Sequence, residues 1–350
     1  MKEVKVLAST PYSVYIEKNS IEKVGDYLQT AIKKPIKVLV VTDENVSALY
    51  LKKVVESLQK SGYKTFTCIL KAGEGTKSME NFSKLCSVSA SLNLTRDDAL
   101  LALGGGVIGD LVGFTASCYM RGIKFIQVPT TLLAAIDSSV GGKTAINIEE
   151  GKNLIGSFWQ PCLVVYDPET RKTLPKEQFL CGVGEAVKYA VLAGGRIYDI
   201  LSSGKIDENF EELVELCVIE KAKIVHQDEK EHGVRKLLNL GHTVGHAIEK
   251  LSNFTALHGL CVAKGLYLLA KAQRFEGSIS EDCFNKIEKM LNTYAFDLEI
   301  PYSVEDIVKE FVYDKKSVDG GVSLVKIKDI GDCFVENTAI DCLGEFLSCK

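Results

Sequence analysis

The chain has 350 residues, 46% of them hydrophobic and 25% charged, the composition of a globular protein long enough for two domains. A net charge of −4 and a pI near 5.9 leave no basic surplus to meet a nucleic acid. No apolar run reaches the roughly 18 residues of a membrane span, and the opening Met-Lys-Glu-Val-Lys-Val has neither a signal-peptide core nor the features of a transit peptide. Eleven cysteines stand singly from Cys68 to Cys349 with no Cys-x-x-Cys pair, which argues against a disulfide framework and for a reducing, cytoplasmic setting.

The first half alternates short β-branched runs with helical periods. Residues 37–41 read as a buried strand, 45–60 as a helix, 63–70 as a strand and 78–92 as a helix. Residues 99–103 read as a strand entering Gly104-Gly-Gly106, with a helix over 107–119. Strands at 124–128 and 162–166 are halted by Pro129 and by Asp167-Pro168. Fully apolar strands separated by helices predict a parallel sheet covered on both faces, an α/β Rossmann-like nucleotide-binding domain. After Pro168 the period turns helical, over 176–193, 208–229, 239–251, 258–276 and 280–295. Residues 322–327 are a candidate strand or hairpin. The boundary near 168–175 gives an α/β domain over 1–170 and an all-α C-terminal domain over 171–350.

Gly104-Gly-Gly-Val-Ile-Gly109-Asp110 satisfies Gly-x-Gly-x-x-Gly at a strand-to-helix turn, where backbone amides and the helix dipole suit a pyrophosphate. A tight turn satisfies the same pattern. Asp43 and Asn45, after an earlier strand, are candidates for a nucleotide ribose, and Glu74 and Lys77 end another strand; solvated loop is the bland reading of all four. Asp137-Ser-Ser-Val-Gly-Gly-Lys143-Thr-Ala-Ile-Asn147, followed by Gly151-Lys152-Asn153, sets lysines and an amide in glycine-rich loops, a cradle for phosphate or carboxylate. It is not a P-loop, because the upstream glycine is missing.

Glu185 and Lys188 share one face of a helix whose flanks are apolar, so they read as buried charges in need of partners or a metal. Three of the five histidines fall between 242 and 258. His242 and His246 stand four apart on a helix, and His258 can converge on them. Such a set suits a catalytic divalent metal, zinc first, with Glu185 completing it; ordinary partly buried histidines share the spacing. Lys221, Lys223, His226 and His232 read as solvated, Asp314-Lys315-Lys316 as a surface cluster, and the lone Trp159 as structural.

Together these residues resemble the 3-dehydroquinate synthases, a family of sugar phosphate cyclases. The matching stretches are 104–110, Arg121-Gly122, 125–134, 137–147, 151–156, Glu185-Ala-Val-Lys188 and 238–246, in order over most of 100–260. The resemblance implies NAD and a divalent metal, zinc or cobalt, as cofactors, and a homodimer. It implies Glu185, His242 and His258 as metal ligands. It implies a substrate site of Lys143, Lys152, Asn153, Lys188, Arg235, Asn239 and His246, with Asp137 near the metal, Arg121 reaching the partner subunit's phosphate pocket and one lysine of Lys315-Lys316, Lys316 before Lys315, closing over the substrate. It implies NAD contacts from Asp43, Asn45, Glu74, Lys77, Gly105, Gly106, Asp110, Thr130 and Thr131, with Lys143 and Lys152 adjoining. One residue departs from the family pattern: where His-Gly-Glu is usual, this chain has His258-Gly259-Leu260, a carboxylate fewer near that imidazole.

The implied substrate is a phosphorylated keto acid, 3-deoxy-D-arabino-heptulosonate 7-phosphate. Transient oxidation by NAD, loss of phosphate, reduction, ring opening and aldol closure would give 3-dehydroquinate, with the substrate's own phosphate serving as base. Other sugar phosphate cyclases, such as 2-deoxy-scyllo-inosose synthase, and metal-dependent glycerol dehydrogenases are the competing enzymes. A dehydrogenase would not need Lys143, Lys152, Lys188 and Arg235 together. A nucleotide-sensing module is the non-enzyme alternative; it predicts NAD binding without metal or turnover.

Overall fold

Alternation builds the first hairpin. Val4 and Val6 on β1 (Lys2–Val6) and Tyr12, Val14 and Ile16 on β2 (Tyr12–Ile16) turn to one buried face. The computed structural model describes residues 1–33, 36–313 and 321–349. The chain divides into two compact units, Met1–Leu174 with Lys221–Lys230, and Pro175–Glu220 with Glu231–Lys350.

The first unit holds a seven-stranded sheet in the order β1-β2-β9-β6-β5-β3-β4, with β3 Lys37–Asp43, β4 Lys64–Leu70, β5 Ala99–Gly104, β6 Lys124–Pro129 and β9 Leu163–Tyr166. Every pairing except β1–β2 is parallel. Leu39, Val41, Leu100 and Ala102 pack under the helix Gly106–Cys118, while Val38, Val40, Leu101 and Leu103 pack under the helices on the other face. The chain leaves β3 for β4 on one side and returns to β5 on the other. The order therefore switches between the carboxyl ends of β3 and β5, at Asp43 and Gly104, which is where open α/β sheets bind their ligands.

Residues 137–147 and 151–153, read from sequence as glycine-rich loops, fold differently. They form an antiparallel hairpin of β7 (Lys143–Ile148) and β8 (Gly151–Phe158), led in by Gly141 and Gly142 at φ 93° and 70°. The glycines disguise a strand whose Thr144, Ala145 and Ile146 are buried.

Residues 221–230 belong with the first unit, and side chains show why. Lys221 pairs with Asp137, His226 Nδ1 meets the Leu7 carbonyl at 2.9 Å, and Glu229 accepts from Ser9 and Gln160. The second unit is helical, with Lys176–Ala193, His242–Leu251 and His258–Glu276 at its centre and one hairpin, β10 (Gly321–Asp329) with β11 (Asp332–Ala339). That hairpin covers the candidate strand at 322–327. No helix among the described residues is long and apolar enough to cross a membrane.

Candidate functional site

Among the described residues, each unit carries a cluster of charged side chains that gathers several of the candidates. In the first, Lys77 is 5% exposed and its ammonium donates to both Asp110 and Asn153. Burial pushes the Asp110 carboxyl up, against the pull of Lys77. Glu74 accepts from Asn147 Nδ2 at 2.7 Å and stands 3.8 Å from Lys152 Nζ. Asn147 Oδ1 takes the Asn153 amide at 3.0 Å, and the Asn147 amide donates to the Lys77 carbonyl at 2.8 Å. Asn153 is thereby held at φ 58°, a left-handed conformation unusual for a side chain with a Cβ. The candidates Glu74, Lys77, Asp110, Lys152 and Asn153 thus form one network. Its centre, Asn147, had no role assigned from sequence.

The remaining candidates of this unit lie around the sheet's carboxyl edge. Gly105 caps and Gly106 opens the helix after β5, and a Cβ on Gly105 would stand 3.1 Å from Thr131. The Thr130 amide bonds the Gly104 carbonyl at 3.0 Å. Asp43 is occupied in part, since its Oδ1 accepts from the Asn45 and Val46 amides. Asn45, Lys143 and Arg121 are exposed, with Arg121 at φ 64°. Asp137 is ion-paired to Lys221 Nζ, which also bonds the Asp137 carbonyl at 2.7 Å. This corrects the reading of Lys221 as solvated, for it is 5% exposed. Lys223, His226 and His232 are exposed as expected.

In the second unit the helices Lys176–Ala193 and His258–Glu276 cross at glycines. A Cβ on Gly184 would overlap the Gly259 carbonyl, and one on Gly259 would overlap that of Cys181. Glu185 and His258 are chain neighbours of these two glycines, so the close crossing brings them together. Gly241, at φ 76° with Val262 O 2.8 Å from where its Cβ would sit, starts the His242 helix. His242 is the first helical residue, and Arg235 and Asn239 lie in the preceding turn Val234–Asn239. Arg235 is buried at 1% exposure, and Asn239 donates to Glu231 at 2.9 Å.

Glu185 Oε1 stands 3.4 Å from His242 Nε2 and 3.2 Å from His258 Nε2. Its Oε2 stands 2.6 Å from Lys188 Nζ. The carboxylate is fully buried, and neither oxygen has a hydrogen bond of proper geometry. Burial alone would raise its pKa; Lys188 and His242 overcome that and hold it well below the usual range. Burial lowers His242. Burial also opposes charge on His258, yet the facing carboxylates of Glu185 and Glu249 raise its pKa to about 10. His246, exposed, completes a group of three imidazoles with ligand atoms within 4.8 Å of one another.

This donor set fits a divalent metal. Tetrahedral bonds of about 2.0–2.1 Å put ligand atoms about 3.3 Å apart, matching the separations of 3.2 and 3.4 Å at Glu185 Oε1. A buried carboxylate beside two imidazole nitrogens and one ammonium is a donor set that a further cation would suit. His258 Nδ1 lies 3.2 Å from Glu249, so its far nitrogen is already engaged. Glu249 is a second residue missed from sequence. Its position seven after His242 places it on the same helix face. Lys316 lies outside the described residues.

A mostly parallel sheet in one unit and a helical second unit make up a fold shared with solved structures of sugar phosphate cyclases. A structure of 2-deoxy-scyllo-inosose synthase complexed with carbaglucose-6-phosphate, NAD+ and Co2+ matches over 99% of both chains, with a TM-score of 0.89 and 23% identity. A structure of 2-epi-5-epi-valiolone synthase from Streptomyces hygroscopicus subsp. jinggangensis with NAD+ and Zn2+ bound matches with a TM-score of 0.87 and 23% identity, again over 99% of both chains. At that identity the likeness establishes the fold. The particular family is set by sequence. Residues 67–181 match the 3-dehydroquinate synthase N-terminal family and 182–317 the C-terminal one. The 3-dehydroquinate synthase of Desulforamulus reducens is 41% identical over 97% of each chain. The chain belongs to the 3-dehydroquinate synthase family.

Proposed function

We propose that this chain is a phosphate-eliminating carbon–oxygen lyase that converts 3-deoxy-D-arabino-heptulosonate 7-phosphate to 3-dehydroquinate and phosphate, in the shikimate route to chorismate and the aromatic amino acids. The observation that carries the reading is the buried Glu185 carboxylate between two imidazoles, in a chain of this family. Glu185, His242 and His258 would hold a zinc or cobalt ion. When bound, the metal polarises a substrate hydroxyl and NAD accepts and returns a hydride, so that no cofactor is consumed.

The chain's own residues bind and orient. Lys143, Lys152, Asn153, Lys188, Arg235, Asn239 and His246 supply cations and donors for a substrate bearing both phosphate and carboxylate. Buried Lys188 and Arg235 are held in low-dielectric surroundings, where they attract an anion more strongly than exposed lysines do. Asp137, clamped by Lys221, is a fixed acceptor. Asp43, Asn45, Glu74, Lys77, Gly105, Gly106, Asp110, Thr130 and Thr131 would contact NAD at the sheet's switch point. The same reading carries a cytoplasmic homodimer in which Arg121 serves the partner subunit and Lys316 closes over substrate. Eleven free cysteines suit that compartment.

The test is an assay of the heptulosonate phosphate with NAD and zinc or cobalt. We expect equal amounts of phosphate and 3-dehydroquinate with no net NADH. Absence of a carbocyclic product, or steady accumulation of NADH, would overturn the proposal.

A further inference from the structure

Beyond the ligands, one carboxylate is placed to govern how His258 presents its Nε2. Glu249 is 6% exposed on the helix His242–Leu251, and its Oε2 lies 3.2 Å from His258 Nδ1. The opposite ring nitrogen, Nε2, lies 3.2 Å from Glu185 Oε1. The imidazole thus faces a carboxylate at each end, with the hydrogen bond on the Glu249 side. Its ring plane is fixed by a residue on a different helix from its own, which begins at His258. The Glu249 end is itself secured, since its carbonyl accepts from Ser252 Oγ at 2.6 Å and from the Phe254 amide at 2.9 Å.

A carboxylate accepts hydrogen bonds and does not donate them, so facing Glu249 fixes the proton of a neutral His258 on Nδ1 and leaves the Nε2 lone pair for a metal. Glu249 reaches the same imidazole from across the helix pair.

We propose that Glu249 is the positioning residue of the metal centre, acting through His258 without touching the ion or the substrate. The proposal rests on the reading of Glu185, His242 and His258 as metal ligands. Partners of this kind typically contribute about 10–100-fold to metal affinity.

The experiment measures zinc affinity of metal-stripped wild type, E249Q and E249A by competition against a chromophoric chelator, with thermal melts and NAD binding recorded alongside. We expect E249A to bind zinc about 10–100-fold more weakly, and E249Q, whose amide oxygen still accepts from Nδ1, to lose less. NAD affinity should stay at the wild-type value in both. Zinc affinity of E249A within twofold of a tight-binding wild type would overturn this inference alone. Failure of the wild type to bind zinc would overturn the ligand reading and this inference with it. Should E249A not fold, the near-isosteric E249Q decides: weaker zinc with an unchanged melt supports the role, and unchanged zinc affinity refutes it.

Discussion

Around Lys77 the charged and amide groups satisfy one another. Its ammonium serves Asp110 and Asn153, Glu74 takes Asn147, and Asn147 spends its side-chain oxygen, its side-chain amide and its backbone amide on three neighbours. Around Glu185 they do not. A fully buried carboxylate faces two imidazole nitrogens and one ammonium, and neither of its oxygens makes a hydrogen bond of proper geometry. Similar side-chain types in the two clusters therefore have opposite energetics. A satisfied network rigidifies its own side chains, whereas a buried carboxylate depends on the charges beside it, here the Lys188 ammonium. The first cluster is finished by folding, and the second would be finished by the cation proposed for it.

The comparison breaks most visibly at Glu185. Glu185→Ala should lower kcat/KM on the order of a thousand-fold, the several kcal/mol a Lewis acid supplies, and should abolish stoichiometric metal while NAD still binds. Kinetics with metal analysis checks both, and a variant that kept its metal would show that the clusters do not differ as described. Next comes the helix crossing. Gly259→Ala drives a Cβ into the Cys181 carbonyl, so we expect destabilisation of about 1–3 kcal/mol, the usual range for overpacking, seen as a lower Tm together with weaker metal uptake. An unchanged melt would mean that the crossing yields easily and does not set the ligand distances.

The smallest effect belongs to the satisfied cluster. Asn147→Ala removes the hydrogen bonds to Glu74 and from the Asn153 amide, at about 1–2 kcal/mol together. We expect KM for substrate or NAD to rise about tenfold, since about 1.4 kcal/mol is a factor of ten, with bound metal unchanged. Steady-state kinetics with metal content separates this from the Glu185 result. Loss of metal in Asn147→Ala would erase the distinction between the two clusters.

Much of this was legible in the sequence, for physical reasons. Strands β3, β5, β6 and β9 are largely apolar because helices cover both faces, and such runs stand out. The hairpins are harder. β1 and β2 are short and half-buried, and β7–β8 hides behind Gly141, Gly142 and Gly151. In the site, the spacing of Glu185 to Lys188 and of His242 to His246 announced shared faces. What spacing cannot announce is the helix crossing that brings Glu185 to His258. Lys221 was misread, although the signal existed. Cys217, Ile224 and Val225, four before and three and four after it, are all buried, so its face points inward. Glu249 lies on the His242 stripe, but its partner, His258, comes from another helix, which spacing along one helix does not reveal.

The central claim is that Glu185, His242 and His258 together hold one divalent ion. Anomalous diffraction at the zinc or cobalt edge from metal-loaded crystals tests it directly. The account predicts one ion per chain, about 2.0–2.2 Å from Glu185 Oε1 and from Nε2 of both histidines. An ion held by the imidazoles of His242, His246 and His258 with Glu185 out of reach, or no ion at all, would contradict it.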